Sequence, residues 1–528
     1  MGNAIDDPLN DIPPGFLNKA AFVNPDIINT IRIMNDPQDA GFARWFATGG
    51  GMQDVISGNE VSYLIDGVEA FPAMVEAIQR ATDGSKRHFI YIVAWAFQAD
   101  FQLVPGKAGT KYRELLEAAA SRGVEIRALL WANILNNPVS GSIHDDKAEN
   151  FGEVQMINGL KTGKAILDSR TLFAGVHHQK LLVVNGDDGL VAFCGGVDPN
   201  ADRINPPDPL HDVHVRIRGP VARNLLHIFI QRWLDHPKGR TNPPLAGMPL
   251  LGASQPSRGR MRVQVGRTYP KGVYSFAPDG EQTAKRIIAT AIQQARKFIY
   301  LEDQYLVNME CSNLLKAALP NVQYIVVFIP GDGSVDKELG EFNVPEDVHV
   351  RGVTISTGRL AGPLLRGQAK FRRAQFIENI KSGPRGLEKL HVFEGLFGTG
   401  YVHAKLYIID DEFAIVGSAN CNRRGWEHDS ELMVGIHDGS TNDHYALSFA
   451  HRLRIRLWAR HLNMRNAEGF AQLVDGVASV GNWLRPPPGA KIAPYFTDLS
   501  VTTSPAERTE WDNVVDPPSP LGIGGIPF

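Results

Sequence analysis

Two short patterns carry residue types suited to chemistry on phosphorus. The first is His177-His178-Gln179-Lys180 followed by LLVVN, and the second is His403-Ala404-Lys405 followed by LYIID. Side chains alternate along a strand, so a His and a Lys two residues apart project from one face. Each pattern leads through a turn into a small-residue run, Gly195-Gly196-Val197-Asp198 and Gly417-Ser418-Ala419-Asn420. These runs bring small residues and a polar side chain near that face. One HxK alone reads as a polar strand edge; two copies, each followed by GG or GS, do not read as chance.

Lysines are fixed donors for an anionic phosphoryl oxygen. Imidazole, with an ordinary pKa of ~6.5, is a nucleophile when neutral and a general acid when protonated. Two rings on opposite sides of one phosphorus suit in-line displacement. One attacks while the other protonates the departing alkoxide; the second then activates water to cleave the phosphohistidine. A carboxylate behind each ring would fix its tautomer.

The elements that must position these residues repeat along the chain. NEVSYLIDGVEAFPAMVEAIQRA, with Phe71, Met74 and Ile78 at helical spacing, precedes the strand-like run HFIYIVAWAF. EQTAKRIIATAIQQA precedes KFIYLEDQYL in the same way, and Ile90-Tyr91 and Ile299-Tyr300 hold equivalent places. Each copy continues with a helix and an apolar strand, YRELLEAAASRG then VEIRALLW, and LLKAALPN then VQYIVVFI. This alternation predicts α/β layers with helices covering the sheet. The Pro-, Gly- and Ser-rich stretch from Pro237 to Arg260 reads as a connector, and the Pro-rich tail after Trp483 as a surface wrap. The expected halves are 1–245, with the first HxK, and 246–528, with the second and the tail.

The chain resembles the phospholipase D superfamily, whose signature is HxKxxxxD followed by GG or GS. The second copy matches in full: His403, Lys405, Asp410, then Gly417-Ser418. HHQK, FCGGVD, HDVHVRIRGP, FIQRWLDH, IYLEDQYL and HDSEL extend the likeness over roughly Asn59 to Glu431. The resemblance implies two pseudo-symmetric α/β/α sandwich halves around one central active site, with no catalytic metal and no cofactor. It makes His178 the nucleophile, His403 the general acid and base, and Lys180 and Lys405 the ligands of the non-bridging oxygens. Asp198, Asn420, Ser418 and Gly196 would help to bind the phosphate. Asp212 and Glu431 would stand behind the rings, in an order left open, with Asp429 as fallback for Glu431. The aspartate of the first motif falls on Asn185, and that copy has three more residues before its glycine pair (185 to 195 against 410 to 417). Asn185 and Asp410 are expected to serve structurally behind the site; Asp188 could replace the missing carboxylate if the hairpin is bulged.

The implied activity is hydrolysis of a glycerophospholipid to phosphatidic acid and headgroup alcohol, with alcohol exchange possible through the covalent intermediate. The alternatives are a cardiolipin synthase-like phosphatidyltransferase, a superfamily nuclease, or an inactive lipid-binding module. The charges nearly cancel, 54 Lys and Arg against 57 Asp and Glu in 528 residues, which disfavours a nucleic-acid partner. The expected partner is phospholipid at a membrane surface, met by a monomer. No apolar run approaches the ~18 residues of a membrane span, and MGNAIDDPLNDIPPGF lacks the features of a Sec signal. A cytoplasmic place or leaderless export is therefore expected. Three scattered cysteines fit neither a disulfide framework nor a zinc cluster.

Other signals rank lower. His177 should face away from His178 and be packed. LKTGKAI has Ala165 where a phosphate loop needs Ser or Thr. His211, His214 and His428 lack metal-ligand spacing and read as satisfied polar histidines. LAGPLLRGQAKFRRAQFIENIK could be a basic amphipathic helix for anionic lipid, weighed against an ordinary helix over a core edge.

Overall fold

The runs FIYIVA and FIYLE are buried at every position, as strands covered on both faces must be. The computed structural model describes residues 40–132, 150–171, 175–205, 209–241, 244–331, 347–350, 353–356, 362–438 and 447–497. Its strands are β1 Ile56–Ile65, β2 Phe89–Ala94, β3 Glu125–Trp131, β4 Gly163–Asp168, β5 Leu181–Gly186, β6 Gly189–Gly195 and β7 Val213–Arg218. Then come β8 Met261–Tyr269, β9 Glu281–Gln282, β10 Phe298–Glu302, β11 Tyr324–Pro330, β12 Asp347–Val350 and β13 Val353–Ser356. The last are β14 Leu390–Gly395, β15 Leu406–Ile409, β16 Phe413–Gly417, β17 Glu431–His437 and β18 Ile492–Pro494.

Among the described residues, one 16-stranded sheet holds every strand but the β12–β13 hairpin. Its centre is the antiparallel pair β1 and β8. Outward from β1 the order is β7-β6-β5-β2-β3-β4, and outward from β8 it is β17-β16-β15-β10-β11-β14. The two series correspond strand for strand. In each, three parallel strands (β2, β3, β4; β10, β11, β14) adjoin an antiparallel meander. This is the α/β arrangement of two pseudo-symmetric halves that the sequence repeat predicts.

Helices cover both faces. Ala222–Asp235 and Phe449–His461 lie on one face, where Phe229, Trp233, Leu453 and Trp458 join a single apolar core with strands of both series. Trp233 and Trp458 are fully buried; truncating such a side chain to Ala costs about 3–5 kcal/mol. On the other face, Asp66–Gln79 and Tyr112–Ser121 cover one half, and Thr283–Gln294 and Met309–Ala318 the other. All three cysteines are buried and free.

Three local expectations change. The HxK triplets lie just before β5 and β15, where His177 and Val402 form isolated parallel bridges to Ser430 and His211 of the opposite half. The connector is packed: Leu245 is buried, Ala246 N donates to Glu125 Oε1 (2.9 Å), and Gly247 N to the Tyr91 hydroxyl (3.0 Å). The tail contributes β18, which extends the sheet at β14.

Candidate active site

Each HxK histidine is anchored by the opposite half. His178 N donates to Ser430 O (3.0 Å), and the ring Nδ1 meets Glu431 Oε1 at 3.0 Å and Ser418 O at 3.0 Å. His403 N donates to His211 O (2.8 Å), and its Nδ1 meets Asp212 Oδ2 at 2.7 Å. Ser430-Glu431 and His211-Asp212 therefore hold equivalent places, which settles the order of the carboxylates. Asp429 stands behind neither ring. It accepts Val176 N (2.8 Å) and Arg424 Nε (3.3 Å), fixing the approach to His178.

The partners of Nδ1 are acceptors in both rings, so Nδ1 carries a proton and leaves Nε2 for chemistry. Among the described residues nothing hydrogen-bonds Nε2 of either ring, and side-chain exposures of 11% for His178 and 7% for His403 leave a narrow approach. Burial, followed by the charges of Lys180 and Lys405, holds His178 well below the ordinary imidazole pKa. Burial, followed by Lys405, Arg203 and Lys180, does the same to His403. Burial lifts Asp212 to about 6 against the pull of Lys405 and Arg203, and lifts Glu431 well above its usual range. The resting rings are neutral, in a site rich in fixed positive charge.

Lys180 and Lys405 are both buried. Lys180 Nζ pairs with Asp198 Oδ2 (2.9 Å); Lys405 Nζ donates to Gln304 Oε1 (3.1 Å) and to His403 O. Burial pushes Lys405 down to about 8, with Asp212 opposing the shift.

Of the four residues expected to bind phosphate, three have their polar groups committed elsewhere. Asp198 Oδ1 accepts the N–H groups of Trp95 (3.0 Å) and Ala96 (3.3 Å) while Oδ2 pairs with Lys180, so it orients the lysine; as an acceptor-only anion it would repel a phosphate. Gly196 N donates to Val213 O (3.0 Å). Ser418 Oγ donates to Glu431 Oε2 and accepts Leu432 N (3.0 Å), so it braces the carboxylate. Asn420 keeps its carboxamide available, its buried Oδ1 having no partner among the described residues.

Asn185 and Asp410 both tie the backbone where a neighbouring strand begins, one as donor and the other as acceptor. Asn185 Nδ2 donates to Arg87 O (3.2 Å), just before β2. Asp410 accepts the N–H groups of Arg296 (2.7 Å), Lys297 (2.7 Å) and Phe298 (2.8 Å) where β10 begins. The β5–β6 hairpin is regular through Gly186–Gly189, and Asp188 faces Arg80 (3.4 Å) and Arg218 (3.7 Å), so it does not replace the missing carboxylate.

Arg203 was not singled out by the sequence reading. Buried, it reaches Asp212 Oδ2 (3.3 Å) and Asp198 Oδ2 (3.6 Å). Its one sequence signal is its place in the turn just after GGVD. His177 is fully buried against Asp168 Oδ2 (3.2 Å), away from the site. Gly163–Asp168 of the phosphate-loop-like fragment is β4. His214 Nδ1 accepts Val197 N (3.3 Å), and His428 Nε2 lies 3.9 Å from Glu427. In the helix Gly362–Lys381, Arg373 is buried and donates to the carbonyls of Gln304, Tyr305 and Pro330. It serves as a core clamp and cannot be a lipid-facing cation.

Comparison with known proteins gives the same assignment. The family model described as "Phospholipase D" matches residues 82–208, and that described as "Cardiolipin synthase, PLD-like domain" matches 288–453. Phospholipase D alpha 1 of Brassica oleracea var. capitata is 25% identical over 505 residues, and that of Arabidopsis thaliana 26% over 507; each alignment covers 72% of this chain and 62% of the relative. The chain thus spans less than two thirds of the relatives it matches. The phosphatidylserine synthase of Haemophilus influenzae shares the fold, with a TM-score of 0.51 at 14% identity over 84% of this chain and 96% of that one. Two matched domains, each holding one HxK triplet, and two imidazole–carboxylate pairs exchanged between halves place this chain in the phospholipase D superfamily.

Proposed function

We propose that the protein hydrolyses glycerophospholipids, such as phosphatidylcholine or phosphatidylethanolamine, to phosphatidic acid and the headgroup alcohol. The observation that carries this reading is the exchange of carboxylates: Glu431 holds His178 and Asp212 holds His403, with both Nε2 atoms left unbonded among the described residues. The reading treats the chain as halves 1–245 and 246–528, each supplying one ring, so a monomer suffices. In the first step His178 Nε2 attacks phosphorus. The phosphorus–oxygen bond to the headgroup breaks, and His403 gives its Nε2 proton to the alkoxide. In the second, His403 takes a proton from water, whose oxygen attacks phosphorus as the phosphorus–nitrogen bond to His178 breaks.

The neutral resting state of His403 fits this cycle. A phosphodiester anion beside Lys180 and Lys405 offsets the charges that depress the ring, so substrate binding itself raises its proton affinity. Asn420 and the two lysines are the proposed ligands of the non-bridging oxygens. An acceptor alcohol in place of water would make the product a new phosphodiester; the match of 288–453 to a cardiolipin synthase domain favours this as the second reading. The substrate lies in a bilayer, and no helix among the described residues is long and apolar enough to cross one. The test is choline release from phosphatidylcholine vesicles, with and without added primary alcohol, beside cleavage of single- and double-stranded DNA. Choline release without DNA cleavage supports the reading, and DNA cleavage without choline release overturns it.

A further inference from the structure

Behind His403 lies a second layer of ionisable groups, built from different residues than the Asp168–Arg232–Gln179 network on the His178 side. His211 presents both ring nitrogens to carboxylates: Nδ1 to Asp66 Oδ1 (2.8 Å) and Nε2 to Glu302 Oε2 (2.8 Å). Glu302 Oε1 also meets His461 Nε2 (3.0 Å) and the Tyr300 hydroxyl (2.5 Å), and Arg460 pairs with Asp66 Oδ2. His211, Glu302 and His461 are fully buried. Ionised carboxylates only accept, so a ring between two of them carries both protons. His211 is thereby an imidazolium enclosed by Asp66, Glu302, His461 and Arg460. Burial raises the Glu302 carboxyl, yet its contacts with His211 and His461 outweigh that and leave it below its usual range.

This layer is wired to the catalytic pair. Asp66 Oδ1 also accepts Asp212 N (2.9 Å), Asp66 N donates to Asp212 O (2.8 Å), and His211 O receives His403 N (2.8 Å). Asp66 adopts a left-handed backbone (φ 61), a strained conformation held by these contacts. At two of these positions the other half is apolar or neutral. Ser430 stands where His211 stands, by its bond to His178 N. Val93 stands where Glu302 stands, since Ile90 pairs with Val184 as Ile299 pairs with Ile409.

We infer that Asp66, His211 and Glu302 form a buried charge relay that fixes Asp212 behind His403 and makes His403, rather than His178, the ring that carries the proton. These three are positioning residues, and the inference rests on the phospholipase reading above. His211, Glu302 and His461 also offer the donor set of a divalent metal, their ligand atoms lying within 4.8 Å of one another. Both Glu302 oxygens, however, are engaged by ring N–H groups at 2.8 and 3.0 Å, and a protonated ring nitrogen has no lone pair for a metal.

The test compares two leaving groups on one phosphatidyl donor, choline and p-nitrophenol, in wild type, His211→Gln and Glu302→Gln. p-Nitrophenolate departs without a proton; choline needs one. In the first turnover, followed by rapid quench before water must be activated, lost general-acid function lowers choline release by about 100-fold and p-nitrophenol release by less than about threefold. Equal losses on both esters, or none, would overturn the relay, as would one zinc per chain in the wild type that Glu302→Gln loses. Imidazole ¹⁵N spectra of the wild type guard against variants that fail to fold. Each nitrogen of His211 should bear a proton hydrogen-bonded to a carboxylate, and a ring with one bare nitrogen refutes the inference. A wild type that turns over neither ester sinks the phospholipase reading, while the ring spectra still decide whether the relay exists.

Discussion

Gly196→Ala should inactivate the site from outside the reacting atoms. A Cβ at Gly196 would lie 1.8 Å from Asp212 Oδ1, 2.6 Å from its Cγ and 2.8 Å from its Oδ2. Contact at about 3.5 Å requires the carboxylate to retreat by more than about 1 Å. Asp212 has little freedom to do so: Oδ1 accepts Val213 N (3.0 Å), Oδ2 meets His403 Nδ1 (2.7 Å) and Arg203 (3.3 Å), and its own N is held by Asp66. A misplacement of that size costs on the order of 100-fold in rate. The assay is kcat for choline release, with melting temperature and His403 ring shifts recorded on the same samples. Gly152→Ala is the control, because nothing lies within 4 Å of its Cβ. A folded Gly196→Ala enzyme within threefold of wild type would refute the claim that Asp212 must hold His403 at this distance.

Other perturbations test separate parts of the account. Lys405, depressed to about 8, is charged below that pH and neutral above it, so kcat/KM should fall about tenfold per unit beyond pH 8. Lys405→Arg should remove that alkaline limb from whatever activity remains, and a limb that stays points to another group. Asn185→Asp should keep turnover within about tenfold while costing about 1 kcal/mol, since a carboxylate cannot donate to Arg87 O; urea unfolding and initial rates check both. Arg373→Leu strips donors from three carbonyls, two of them in fully buried bonds, and should destabilise by several kcal/mol. Wild-type stability in that variant, with loss only of vesicle binding, would restore the lipid-facing reading of its helix.

The strands around the site were legible because both faces are covered, so each became an uninterrupted apolar run such as FIYIVA. The rings were legible because the pattern occurs twice. Their partners were less so, because pairing crosses between halves. Aligning like letters matches His211-Asp212 with His428-Asp429, whereas backbone bonding to His178 and His403 matches it with Ser430-Glu431. The resemblance implied phosphate contacts for Gly196, Asp198 and Ser418 but carried no information on where their atoms point. Their hydrogen bonds run to Val213, Lys180 and Glu431. A basic letter misled in the same way at Arg373, whose guanidinium satisfies backbone carbonyls inside the protein.

The most direct measurement is the site and fate of the covalent phosphate. His403→Ala given phosphatidyl-p-nitrophenol should form the bond to His178 without needing an acid, then stall for want of a base. Mass spectrometry of the rapidly quenched protein should find about one phosphatidyl adduct per chain on His178, and none in His178→Ala. An adduct on His403 of the wild type, or rapid turnover by either variant with no adduct, would contradict two rings sharing one phosphorus.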